Sequence, residues 1–261
     1  MGWKDAYNYM RGVAGKQGIG ASSAQDLGLP LGARIGGLIK LQQSPFIRAA
    51  AAGSLIGMPG EGDTRIVAVS YMKLSMAGEL FRYYLATGDV DEHERFVQVF
   101  RDGQGNVAEL MYCTQLARVI PETAEDQDAY TGESGAGLGD VSYTLWREQL
   151  GDAGLDAAQL AQVFGDADRL DYWRDAGRRD EAFVAPFNGT ETRLDDAAGI
   201  KGLKQEIWFM PYVRELAGGG SEYLLITTEI VASVNGDASQ RGIHVDFVIG
   251  IPLEQERVVI Q

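Results

Sequence analysis

Imidazole is the one side chain whose ordinary pKa puts its charge change near neutral pH, so the histidines are where chemistry is sought first. The chain has two, His93 and His244. His93 lies in Asp89-Val90-Asp91-Glu92-His93-Glu94, the densest acidic run of the sequence. Asp89, Asp91 and His93 alternate as ligands of a divalent cation do, and the run begins like a calcium loop. It then departs from one: the sixth position is Glu94 instead of glycine, and Phe100 stands where the bidentate acid belongs. A solvated hairpin tip accounts for the same residues. His244 and Asp246 are two apart, so on a strand they share a face, and a His/Asp pair is suited to acid–base work. Ile243, Val245, Phe247 and Ile249 take the other face, which places the pair on an exposed polar surface. No G-x-S-x-G accompanies it, and Cys113, among Met111, Tyr112 and Thr114, reads as a buried structural thiol. Gly12–Gln17 lacks Walker spacing and Gly18-Ile19-Gly20 follows no strand, so no phosphate or dinucleotide grip is expected. The sequence thus assigns no catalytic residue, no cofactor and no metal. Its binding candidates are Asp89, Asp91, His93, His244 and Asp246, a carboxylate-rich set that would suit an amine or a metal ion.

The elements that must position these residues are mostly strands. Runs over 33–41, 64–74, 79–86, 95–101, 107–118, 169–174, 206–216 and 222–234 are rich in β-branched and aromatic residues and are broken by Gly/Asn/Asp turns. The segment 243–252 adds another. Residues 46–56, 140–150 and 156–164 read as short helices, Asp140 and Asp156 supplying N-caps. The helices do not alternate with strands, which excludes a doubly wound fold. The expected class is α+β: mainly antiparallel β-sheet, compatible with two β-lobes (25–121 and 140–261), with a few short helices. Residues 122–139, acidic and ending GESGAGLG, read as a mobile linker between the lobes. The aromatics Tyr83, Tyr84, Tyr172, Trp173, Trp208, Phe209 and Tyr212 are expected in core or inter-lobe packing.

Ahead of a single domain spanning 25–261, residues 1–24 form a basic leading segment. Trp3, Tyr7 and Met10 recur at near-helical spacing with Arg11 beside them, an arrangement suited to an anionic membrane surface or a partner protein. Residues 1–48 hold six basic residues against two acidic ones, although the whole chain of 261 residues carries a net charge of −14. That acidity argues against nucleic acid as a partner. One cysteine excludes an internal disulfide, no run of about 18 apolar residues is present, and the start lacks an apolar signal core. A cytoplasmic location, peripheral to the inner membrane, is expected.

Leu27–Leu41 (LGLPLGARIGGLIKL), Arg82–Ala86 (RYYLA), Phe96–Val99 (FVQV), the region of Tyr172–Arg174, Glu222–Glu229 (EYLLITTE) and Val248–Leu253 (VIGIPL) together resemble, in the same order, the YjfK-like family of bacterial proteins of unknown function. The resemblance implies no established activity and no catalytic residues. It implies association with phage-shock-protein-A-like membrane-remodelling proteins and an ATP-grasp peptide–amine ligase. The function expected is a non-enzymatic binding or adaptor protein in envelope stress. The alternative is an enzyme or small-molecule-binding protein with a carboxylate-lined site.

Overall fold

A computed structural model of the chain describes residues 28–87, 93–239 and 241–261. The strands are β1 (Leu38–Leu41), β2 (Thr64–Leu74), β3 (Glu79–Leu85), β4 (Arg95–Arg101), β5 (Val107–Val119), β6 (Ser142–Trp146), β7 (Arg169–Arg174), β8 (Phe187–Leu194), β9 (Gly202–Glu215), β10 (Ser221–Val234), β11 (Gly242–Pro252) and β12 (Val258–Ile260). Four helices of six to eight residues accompany them: α1 (Ser44–Ala51), α2 (Ala124–Thr131), α3 (Arg147–Asp152) and α4 (Ala157–Phe164).

Every pairing is antiparallel, and eight strands close on themselves in the order β2-β3-β4-β5-β11-β10-β9-β8. This corrects the α+β, two-lobe expectation. The two halves are joined at two seams into one barrel: β5 pairs with β11, and β8 bridges β2 to β9. Strand β8 (FNGTETRL) is polar and carries Asn-Gly, so its sequence reads as a loop, yet it is the stave that closes the ring. Strand β2 is long enough to pair with β1 at Thr64–Arg65 and with β8 from Val69 onward. Likewise β9 pairs with β8 up to Phe209 and with β7 at Tyr212 and Val213. Beyond the ring, β1 carries β12 and β7 carries β6.

Eight strands enclose a lumen just wide enough for side chains to fill. At one end it is apolar, with Met72, Leu80, Phe100, Met111, Phe187, Phe209 and Leu225 buried there. A second core lies outside the barrel wall. Phe46 of α1 meets Tyr112 edge-on at 5.0 Å, Tyr130 of α2 meets Phe247 at 6.1 Å, and Tyr143 of β6 meets Tyr212 at 5.8 Å. Tyr83 points outward too, donating its hydroxyl to the carbonyl of Pro30 at 2.8 Å.

Three further expectations need correction. The strand read over 33–41 shrinks to Leu38–Leu41, because Gly36 has φ 85° and turns the chain there. The helix read over 140–150 becomes β6 followed by α3, since Tyr143, Thr144 and Trp146 pair along β7 and tertiary pairing overrides the cap signal. The linker 122–139 is ordered. Thr123 caps α2, Gly132 ends it in the left-handed conformation at φ 68°, and the Gly139 N–H donates to the Tyr212 hydroxyl at 2.9 Å. Its glycines allow close approach: a Cβ on Gly139 would clash with the Val184 carbonyl oxygen. By contrast the Asp156 cap forms as read, its side chain accepting from the N–H groups of Ala158 and Gln159 at 2.8 Å.

Candidate functional site

The strand directions bring one set of ends to one mouth of the barrel. The starts of β2, β4, β9 and β11 and the finishes of β3, β5, β8 and β10 all lie there. The inward positions at this mouth are polar. Arg82 stands at their centre, almost wholly buried, and reaches across the lumen. Its Nε donates to Gln98 Oε1 at 3.1 Å, one terminal nitrogen donates to Thr227 Oγ1 at 3.1 Å, and the other lies 3.8 Å from Glu229 Oε1. The guanidinium also lies over the Phe96 ring, 4.7 Å from its centroid. Strands β3 and β10 do not touch, so the contacts with Thr227 and Glu229 cross the interior.

Around Arg82 the carboxylates are unequal. Burial and the nearby Glu229 charge raise the pKa of Glu191, which accepts from Gln205 Nε2 at 2.6 Å. Burial also pushes Glu229 upward, but the hydrogen bond and charge of His244, with Arg82 beyond, bring it below the ordinary value. Two neighbouring acids are thus pushed apart, one toward holding a proton and the other toward holding a charge.

Asp246 is 4% exposed, not on a polar surface as its sequence pattern implies. Register with β10 sets Asp246 opposite Thr227 on the lumen side, and the bulge in β5, where Leu116 falls between the partners of Phe247 and Val248, lets both Gln115 and Arg118 reach it. Arg118 donates to both of its oxygens at 2.7 Å and Gln115 donates at 2.8 Å. His244 Nε2 lies 2.6 Å from Glu229 Oε2. Glu229, His244 and Asp246 each offer one ligand atom within 4.8 Å of the others. His93 is exposed and reaches the same mouth, lining two cavities: one of about 510 Å³ with Arg118 and one of about 290 Å³ with Arg193. Next to it, Glu94 accepts from Arg193 at 2.5 Å, and its backbone N–H donates to Gln115 Oε1 at 3.2 Å. Asp89 and Asp91, and Trp3, Tyr7, Met10 and Arg11, lie outside the described residues.

Sequence reading paired His244 with Asp246 but missed Arg82, Glu191, Gln205 and Glu229. Arg82 falls inside an aromatic strand and Glu229 inside a β-branched one, where a lone charge signals only an inward polar position if the strand is known to be buried on both faces. Among the polar atoms of this lumen, the amide groups Gln98 Nε2 and Gln205 Oε1 have no hydrogen-bond partner among the described residues. Buried amide groups are seldom left without a partner in a folded protein.

Another buried carboxylate, Glu222, sits outside the wall and is structural. Glu222 accepts from the Leu55 N–H, the Tyr172 hydroxyl and Arg214 Nε, each at 2.7 Å, and from the Ser54 hydroxyl. It ties the segment after α1 to β7, β9 and β10. Cys113 is buried, and burial pushes its thiol up to about 12. Of the aromatics expected in the core, Tyr83, Tyr84, Tyr172, Phe209 and Tyr212 are buried, Trp208 is partly buried against it, and Trp173 is 56% exposed. Among the described residues, no helix is long and apolar enough to cross a membrane.

Comparison with curated proteins and with solved structures finds no match. A family profile, in contrast, covers residues 16–258, nearly the whole chain. The protein belongs to the family described as "Protein of unknown function (DUF2491)".

Proposed function

We propose that this protein is a binding protein whose barrel mouth takes a small cation, either a divalent metal ion or an ammonium group. The observation that carries the reading is the convergence of Glu229, His244 and Asp246 within 4.8 Å. One imidazole and two carboxylates are donors that suit zinc or manganese, and the same oxygens accept from an amine. Their surroundings favour positive charge. Three arginines (Arg82, Arg118, Arg193) face five carboxylates (Glu94, Glu191, Asp195, Glu229, Asp246) among the described residues. Burial and the Glu229 charge push the Glu191 pKa up, and an incoming cation favours its ionised form. Arg118 is the natural gate, since its side chain is half exposed and can leave Asp246 for solvent.

Calorimetric titration with zinc, manganese and spermidine tests this. Saturable binding accompanied by proton release, and lost in His244→Ala, is the expected result. Absence of binding by all three removes the reading.

The partner side of the proposal comes from the sequence. The YjfK-like resemblance and the basic, aromatic residues 1–24 support a cytoplasmic adaptor role beside a phage-shock-protein-A-like partner, with peripheral contact at the inner membrane. Co-sedimentation with anionic vesicles, with and without those residues, checks the membrane contact. Equal and negligible binding by both forms removes it.

A further inference from the structure

The opposite end of the barrel carries a different kind of site. Strand β7 meets β9 only at Trp173 and Arg174, while it runs on alongside β6 back to Arg169. The two strands diverge, and the wedge between them is a cleft of about 880 Å³. That is room for a small organic molecule. Ser221 and Tyr223, which open β10, form part of its wall.

Its charge runs against that of the chain. Four arginines (Arg169, Arg174, Arg179, Arg214) line it with three acids, Asp171, Asp175 and Glu215, in a protein of net charge −14. Arg214 is held by Glu222 at 2.7 Å. Arg174 is buried and serves the frame: it donates to the backbone oxygens of Gly139, Ala176, Arg178 and Glu181 at 2.5, 3.1, 3.0 and 2.6 Å. Three of those bonds fix the turn that follows β7 and set Arg179 on the rim, and the fourth ties it to the segment before β6. Arg179 makes no ion pair among the described residues. Arg169 pairs with Asp171 at 3.3 Å, an exposed contact that contributes little and is readily given up, and its guanidinium lies 5.9 Å from the centroid of the Trp146 ring. Beside them the Trp173 indole stands 56% exposed. A large aromatic face left in water at a concave, cationic wall is what a flat ring stacks on.

We propose that this cleft binds a small planar anion, its ring against Trp173 and its phosphate or carboxylate held by Arg179 and Arg169. Guanidinium forks match both anions bidentately. The Arg174 frame fixes the loop before binding, so little ordering is left to oppose association. The site stands apart from the cation site at the other mouth, and neither depends on the other.

Calorimetry on the full chain with adenosine 5′-monophosphate, benzoate and ribose 5-phosphate separates the contributions. Saturable millimolar-or-tighter binding of either aromatic anion is expected, weaker binding of the ringless phosphate, and a loss of about tenfold in Arg179→Ala from the missing charge-assisted bonds. Trp173→Leu should reduce the preference for the aromatic anion. Both side chains are exposed, so unchanged melting temperatures will certify that the variants fold. Adenosine monophosphate alone assigns a phosphate ligand and benzoate alone a carboxylate. No saturable binding of either, or binding untouched by both substitutions, overturns the proposal.

Discussion

Replacing Arg82 with methionine keeps most of the side chain's length and its contact with Phe96 while removing the charge at the centre of the lumen. The Arg82–Glu229 distance is 3.8 Å. At an effective dielectric of about 20, a pair so spaced interacts by roughly 4 kcal/mol. Removing one partner of a buried pair generally costs about 3–5 kcal/mol, because the other charge stays behind. The two estimates agree, and either is a large fraction of an ordinary folding free energy. The loss depends on pH. Without Arg82, burial acts on Glu229 unopposed by that charge, and its folded-state pKa rises. A raised carboxyl contributes stability below its unfolded value that is lost as pH climbs through the folded one. The Arg82→Met deficit is therefore greatest near pH 7 and smaller near about pH 5. In the wild type, Glu229 is held low, so its contribution runs the other way and fades as pH falls. Urea unfolding of Arg82→Met, Glu229→Gln and the double variant at the two pH values is the assay. The double variant should recover roughly half of the Arg82→Met loss, since it removes the stranded charge. A single variant within about 1 kcal/mol of wild type, or a deficit independent of pH, refutes the account of the lumen as one coupled network.

Three shorter predictions follow from other parts of the molecule. Glu222→Ala strips the acceptor shared by Ser54, Leu55, Tyr172 and Arg214 and should cost about 3–5 kcal/mol, read as a lowered melting temperature with faster hydrogen exchange over residues 53–57. Gly189→Ala drives a methyl group into the Lys73 carbonyl at the β2–β8 seam and should cost about 3 kcal/mol or more by urea titration; a neutral result would mean the seam is not closed there. Native Cys113 should resist a thiol reagent at mildly alkaline pH and react only after unfolding, because burial holds its thiol near 12.

Much of the barrel was legible one strand at a time. The alternation in β2 and the largely apolar faces of β4 are local signals, and the β9–β10 hairpin announces itself by Ala217–Ser221. Closure is not local. It rests on β8, whose only strong apolar anchor is Phe187 and whose partner β2 lies far back in the chain. The site shows the same division. His244 and Asp246 can be paired from spacing alone, but Glu229 joins them through cross-strand register and Arg82 through the lumen. Asp246 was misplaced because period-two reasoning assumes an exposed face, and a closed barrel buries both faces. The Asp140 cap misled because a favourable helix start contributes about 1 kcal/mol, less than the five-residue pairing of β6 with β7.

The two seams also bear on how the chain reaches this form. β2–β5 is a meander of adjoining hairpins, and β8–β11 is another. Each can assemble from contacts close in sequence, whereas docking them requires closing loops of more than a hundred residues, the slow kind of event in folding. Each meander alone would leave half of the polar lumen without its counter-charges: Arg82 belongs to one and Glu191 and Glu229 to the other. Docking in a slipped register would strand those charges in a dry interior. The lumen thereby acts as a proofreading device for assembly, tolerating the two sheets only in the alignment that brings acid to arginine.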